Sequence, residues 1–388
     1  FEGSPHLRTY AREWRSAHAA PDSAQVAAAE VVVTPAPAAA WAPDVSAALT
    51  VEQLARFLRN PVKAFFRERL GVVFDALEED PADDESFGLG GLEEYGVVQA
   101  LVNEVLTDVA QYPGVDAQAL AALLATRLQN LRRAGRLPLG GFAERAQAQL
   151  EIILLPLLQA WQEVQAQHPE MAARVPLYCT ESLAQEDEDG AATKDRPTLL
   201  LQDWLDHLRH GVQGSDGAPV WVELTPSKLV QDVKKGTLRT DKLLTAWVRS
   251  LAAAASGVVV DGILVGRDAT LRITPLDPDS AQAALDDLLY AWREGMANPL
   301  PLALRTGLAL VKEQDAAAAY NGSYQREGDV AEPCLARMYP DFEALTDDGR
   351  FEWLAQSLCR PLAQWAGTHV IATLHRLASL DSDSAAGA

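Results

Sequence analysis

Cysteine is scarce in this chain. The three residues in 388, Cys179, Cys334 and Cys359, are widely spaced and show no CxxC or Cys/His pattern, so neither a disulfide framework nor a zinc site has a signature. Buried free thiols in a reducing cytoplasm are expected. Long apolar runs are missing as well: charges interrupt every hydrophobic stretch before the roughly twenty residues that a bilayer-crossing helix needs. No signal-peptide pattern is found, and there is no Walker A loop or GxSxG turn to carry ATP hydrolysis or serine-hydrolase chemistry. Cations are the minority, with 33 Lys and Arg against 54 Asp and Glu, a formal net charge of −21. Each phosphate neutralised requires a Lys or Arg, so this balance opposes wholesale binding to a polyanion, and any DNA contact must be local.

Acid is plentiful and concentrated, from Glu78 through Glu85 and from Glu186 to Asp189. These runs read as solvated loops or as steering charges toward a basic face on a partner. The length allows about two or three domains. The chain opens on Phe1 rather than methionine, which reads as an excised fragment. Ala and Pro crowd Pro35 to Ala48 like a linker. Residues 1–48 are therefore read as the tail of a preceding domain and a linker, with one domain over 49–388, helical over about 49–170 and mixed sheet and helices over about 171–388.

The segment from Leu49 to Val72 carries the strongest local signals. Thr50 with Gln53 three residues later forms a capping box, and Leu54, Phe57 and Leu58 fall on one helical face. Asn60 and Pro61 restart the helix, Phe65 and Phe66 are expected to point inward, and Gly71 to end it. Apolar spacing predicts amphipathic helices over Glu93–Val109, Asp116–Arg133 and Phe142–Gln167. Short apolar runs then predict strands at Val175–Cys179, Thr198–Leu201, Val220–Val222, Gly257–Val260 and Leu271–Ile273, with a helix over Thr240–Ala255 among them. Helix returns after Asp279, the last long one beginning near Arg350. The expected fold class is α/β, a mixed sheet flanked by helices.

The helix, proline break and aromatic helix in that order resemble the entry into the nuclease-like domain of RecB-type proteins. Further stretches, Phe87–Tyr95, Arg133–Phe142, Trp247–Ala252 with Ala255–Gly257, Tyr290–Met296 and Ala319–Gly322, extend the resemblance to the RecC family almost to the C-terminus. RecC is the gamma subunit of the RecBCD helicase-nuclease, exodeoxyribonuclease V. The resemblance implies a degenerate PD-(D/E)XK nuclease-like fold with helical N- and C-terminal extensions, and RecB and RecD as partners. It also implies a non-catalytic role in double-strand break repair, scaffolding those subunits and splitting DNA strands on a protruding pin. Two loops are candidates for the pin, Asp187–Arg196 and Gly211–Pro219. Recognition of the Chi sequence belongs, by the same resemblance, to an earlier part of the subunit.

Active RecB-type nucleases hold Mg²⁺ on an Asp in a Gly-x-x-Asp strand, an Asp-x-Lys on the next strand and a His on the preceding helix. Here Asp203-Trp204-Leu205-Asp206 keeps the carboxylate at Asp206. Glu223 matches the second acid, but Thr225 stands in place of the Lys, and Glu144 in place of the His. A metal-free, inactive site is expected. The alternative is an active Mg²⁺-dependent DNase with an all-carboxylate cluster, and a third reading is a partner-docking domain that does not touch DNA. His207 and His210 do not share a face in an extended chain, so they make a poor metal pair. Lys228, Lys234, Lys235, Arg239, Lys242 and Arg249 form the best basic patch and are the DNA-binding candidates. Arg56, Arg59, Lys63, Arg67 and Arg69 form a second, read as a solvated helix face, and Arg132, Arg133 and Arg136 a third. Trp247 is either a stacking surface for a base or, at helical spacing with Leu243, Leu244 and Leu251, part of the core.

Overall fold

The capping box at Thr50 forms as its spacing predicts: the Thr50 hydroxyl accepts from Gln53 N at 3.2 Å and the Gln53 side chain accepts from Thr50 N at 2.9 Å. It opens α1 (Val51–Arg59), whose buried stripe includes Leu54, Phe57 and Leu58. The structure, a computed structural model, describes residues 48–74, 88–111, 116–181, 198–212, 217–324 and 326–375, all within the unit Ala42–Ala388. The acidic runs, the Pro/Ala linker and the candidate pin residues Asp187–Arg196 lie outside the described residues, as does the centre of the Gly211–Pro219 loop.

Asn60 caps α2 (Pro61–Ala64), its side chain accepting from Lys63 N at 2.9 Å. The helix then widens into a π-type turn over Phe65–Arg69, so Phe65 and Phe66 end up half-buried in an edge-to-face pair rather than pointing into the core. Gly71 follows at φ +65°, a conformation that suits a residue without Cβ. Next come α3 (Gly91–Gln111), α4 (Ala117–Arg133, with Asp116 as N-cap) and α5 (Gly141–Gln167).

Ten short strands are described: β1 (Glu170–Met171), β2 (Val175–Thr180), β3 (Leu200–Leu205), β4 (Leu208–His210), β5 (Val220–Leu224), β6 (Val230–Asp232), β7 (Thr237–Leu238), β8 (Asp261–Val265), β9 (Ala269–Ile273) and β10 (Val370–Leu374). Six make one mixed sheet in the order β1-β4-β5-β8-β9-β10, in which only β5 and β8 run parallel. That parallel pair requires a crossover, supplied by α6 (Leu244–Ala255). β2 with β3 and β6 with β7 form separate two-stranded ribbons.

Alternation along β5 sets the layers. Val222 is buried with Ile263 and Val265 among the leucines and valines of α3, α4 and α5, and Val220 and Leu224 pack there too. Trp221 and Glu223 point to the opposite face, toward α6. α6 in turn packs against α1 and against α7 (Pro278–Ala297). The sheet is thus mixed and flanked by helices, as expected.

Several boundaries differ from the sequence reading, and β3 runs over Leu200–Leu205 where Thr198–Leu201 was expected. The run Gly257–Val260 is not itself a strand but leads into β8, which starts at Asp261 because pairing with Val220 on β5 begins there. The C-terminal region is not all helix. After α8 (Leu304–Val311), α9 (Ala316–Asn321), α10 (Pro333–Met338) and α11 (Phe342–Thr346), the long helix expected from Arg350 divides. It becomes α12 (Arg350–Leu354), a π-type turn at Ala355–Cys359 and α13 (Arg360–Thr368), with Pro361 in the first turn of α13. The chain then rejoins the sheet as β10, at an edge.

His168 at the end of α5 and His375 after β10 line a groove between α5 and the sheet. Burial holds both imidazoles below the usual histidine range, reinforced at His168 by Arg272 and Arg209 and opposed at His375 by a hydrogen bond and nearby acids. Both are therefore neutral in the fold. A depressed folded value means stability that is complete above the unfolded value of about 6.5 and is lost as the pH falls through the folded one. Melting temperature should drop on acidification below about pH 6.5, and the double variant His168→Gln/His375→Gln should flatten that decline. An unchanged acid limb would remove these two groups from the account.

Candidate functional site

β3 ends on Leu205, and Asp206 and His207 turn the chain into β4, His207 at φ +58°. Both side chains are exposed. Asp203, three residues earlier, is occupied: its carboxylate accepts from Val51 N at 2.9 Å and from Trp204 N at 2.8 Å, pinning the start of α1 to β3. Leu49 reinforces this junction by bridging to Leu201. Asp203, Asp206 and His207 line a hollow of about 170 Å³ with Trp221, Glu223 and Arg249. The fold therefore brings Asp206 and Glu223 to one hollow.

Glu223 has a partner that the sequence did not suggest. The Arg249 guanidinium, from the middle of α6, is ion-paired to Glu223 and also lies over the Trp221 indole, 5.1 Å from the ring centroid. Trp221 itself is buried, its ring lying across Gly262 on the adjacent strand, where a Cβ would meet the indole at 2.3 Å. Arg249 was expected among cations open to DNA. It is instead held inside, because the crossover helix lays it against the face of β5 that carries Trp221 and Glu223.

Glu144 sits in the first turn of α5, exposed and 3.3 Å from Arg132, and does not line this hollow. Thr225 follows β5, its N–H donating to Val265 O at 2.8 Å and its hydroxyl accepting from Ser227 N at 3.3 Å. Among the described residues no three His, Cys, Asp or Glu side chains are grouped to hold a metal ion. The residues present do not fit the Mg²⁺ site of an active RecB-type nuclease: Glu144 is elsewhere, Thr225 has no ammonium, and Glu223 already holds a cation.

Glu223, Thr225 and Arg249 also border a larger cleft of about 570 Å³. Its far wall comes from α2 and from the segment that runs from α8 to α10. Arg305 pairs with Asp329 at 2.9 Å, and Lys63 with Glu332 at 3.3 Å. Glu332 caps α10, accepting from Cys334 N and Leu335 N, and also accepts from Asn60 Nδ2 at 3.2 Å, so one carboxylate ties α2 to α10. Burial raises Asp329 above the usual carboxylate range despite Arg305 and the hydrogen bonds from Thr306. Of this wall the sequence reading had singled out Asn60 and Lys63, but not Arg305, Asp329 or Glu332.

The basic patch divides into three. Lys228, Lys234 and Lys235 are exposed and have no ion-pair partner among the described residues. Lys234 and Lys235 crown the β6–β7 turn, their backbone N–H groups both donating to Asp232. Arg239 and Lys242 share Asp241, at 3.7 and 3.8 Å. Arg249 is internal. Trp247 is core, 2% exposed, and all three thiols are buried. Burial pushes Cys334 up to about 11 and Cys359 to about 12, which leaves those thiols protonated and inert.

Comparison with known proteins matches residues 46–315 to the model of the RecC C-terminal domain. The chain belongs to this family. It is 27% identical over 306 residues to the RecBCD enzyme subunit RecC of Escherichia coli K12, covering 79% of this chain and 22% of that protein. It is 42% identical over 52 residues to the RecBCD enzyme subunit RecC of Haemophilus influenzae, covering 13% of this chain and 5% of that protein. The chain thus spans about a fifth of the length of the E. coli relative. The RecC C-terminal domain match begins four residues before the capping box and takes in the strands from β1 to β9 and the smaller hollow, but ends before β10 and before Asp329 and Glu332 of the larger cleft. No helix among the described residues is long and apolar enough to cross a membrane.

Proposed function

We propose that this chain is the non-catalytic C-terminal domain of the RecC subunit of a RecBCD-type helicase-nuclease. It scaffolds the RecB and RecD subunits in the cytoplasm and helps split and guide DNA strands during recombinational repair. Its fold is a degenerate PD-(D/E)XK nuclease-like one: Asp206 and Glu223 retain two carboxylates in one hollow while the remaining parts of the site are replaced. The observation that carries this reading is the Arg249–Glu223 pair, which commits the second carboxylate to a cation of the chain itself. The pure chain incubated with Mg²⁺ and linear duplex should leave the DNA intact. Cleavage that Asp206→Ala abolishes would establish the rival reading, a working Mg²⁺-dependent nuclease.

A strand-guiding role needs phosphate contacts that an acidic chain can supply only locally, and the three unpaired lysines on and beside the β6–β7 ribbon are the best placed. Binding to a forked duplex should weaken steeply with salt. Lys234→Ala with Lys235→Ala should reduce the slope of log K against log salt by about 1.4 to 1.8, since each phosphate contact contributes about 0.7 to 0.9. Binding that is insensitive to salt, or a slope that the double variant leaves alone, favours docking to partner subunits without DNA contact. The candidate pin around Asp187–Arg196 lies within the β2–β3 connection, and Gly211–Pro219 within the β4–β5 connection. Each connection joins two strands that pair antiparallel.

A further inference from the structure

We propose that Arg249 is a resident counter-ion: its guanidinium stands where a divalent cation would otherwise approach Asp206 and Glu223, and it keeps the hollow metal-free. Four acidic residues line the hollow, Glu52, Asp203, Asp206 and Glu223, and they differ in what they already hold. Asp203 is used by the N–H groups of Val51 and Trp204, whereas Asp206 is exposed with no hydrogen-bond partner among the described residues, and Glu223 is bound by Arg249. A hard divalent ion needs several oxygen ligands at short range, and a guanidinium on one of the three remaining carboxylates both occupies that carboxylate and repels the ion.

Three features make Arg249 suited to the position. A guanidinium stays charged at any pH the fold survives, so the counter-charge cannot be lost by deprotonation. Its planar face rests on the Trp221 indole, which is itself held by packing over Gly262, so the group is fixed from below as well as by its carboxylate. Its backbone lies on the helix that joins the parallel strands β5 and β8, so its distance from Glu223 is set by the crossover rather than by a loop. Arg249 is the one Lys or Arg among the residues that line this hollow. The inference rests on the Arg249 contacts alone and is independent of any role in strand separation.

The test is Mn²⁺ binding to the full chain, followed by the loss of the free-ion paramagnetic resonance signal. The parent is expected to show no saturable site at Asp206. Arg249→Met, which keeps much of the packing on Trp221 and drops the charge, should bind one Mn²⁺ at least tenfold more tightly than the parent, and adding Asp206→Asn should abolish the gain. Arg249→Gln, which retains a donor for Glu223, carries the same expectation should the methionine variant fail to fold, as judged by circular dichroism. Arg249→Lys, still cationic, should behave like the parent. Mn²⁺ uptake that is the same with and without the charge at position 249, whether present or absent, overturns the proposal. So does a parent chain that binds one ion lost on Asp206→Asn.

Discussion

Replacing Glu181 by Ala should destabilise the chain by about 3–5 kcal/mol, the cost of stranding a buried charge. Glu181 closes β2 and is ion-paired to Arg293 on α7, with the two side chains only 12% and 7% exposed. Glu181 N donates to Leu199 O at 3.1 Å, and the Glu181 carboxylate accepts from Leu199 N at 3.4 Å, so the same residue clamps the base of the β2–β3 connection. The ion pair therefore joins the root of a candidate pin to the helical layer, and a wedge that bears load needs such a root. The size of the loss comes from desolvation rather than from the pair's attraction: Arg293 would remain charged in a buried site that had lost its carboxylate and kept only its other contacts. Replacing both partners, Glu181→Met with Arg293→Met, should restore stability to within about 1 kcal/mol of the parent, because two well-packed apolar side chains often match a buried pair. Urea denaturation midpoints of the parent, both single variants and the double variant give the comparison. A single variant costing less than about 1 kcal/mol would mean that the site admits water and that the clamp is weak.

Gly262→Ala should be nearly as damaging, by about 3 kcal/mol, the upper end of what overpacking costs. Its added Cβ would lie 2.3 Å from two carbons of the Trp221 ring, on the neighbouring strand, where Trp221 and Gly262 are direct partners in a parallel register. The indole is buried against α6 and cannot swing into solvent, so either β8 or the ring must shift. Displacement of the ring also withdraws the surface on which Arg249 rests. The variant should lose near-ultraviolet dichroism from Trp221 together with stability. Adding Trp221→Leu should recover part of the stability while leaving Arg249 without its aromatic support. A Gly262→Ala chain that melts with the parent would show that the close approach relaxes without strain.

The helical part was largely legible. α3, α4 and α5 lie within two residues of their expected bounds, since each buries one face and so repeats its apolar residues every three or four positions. The entry capping box and the Asn60-Pro61 restart were equally readable, being contacts between residues three apart. β10 escaped because five residues directly after a helix carry little periodic signal, and because its partner β9 is about a hundred residues away. The site was half legible. Asp206, Glu223 and Thr225 stand close to the turn or strand their motif predicted, but Glu144 was placed by motif order alone and lies with Arg132 instead.

By itself, the sequence determined which residue types are available and where the chain turns regular: few cysteines, cations in the minority, helices with their caps. These follow from composition and from interactions a few residues in range. Only the tertiary structure decided that Arg249 would neutralise Glu223 rather than face a phosphate, that Asp203 would anchor α1, and that Glu332 would tie the first helices to the last. Each of those contacts joins residues 26 to 272 positions apart. Their formation depends on how the sheet and crossover helix pack, a choice made by burial of the whole core rather than by any local pattern.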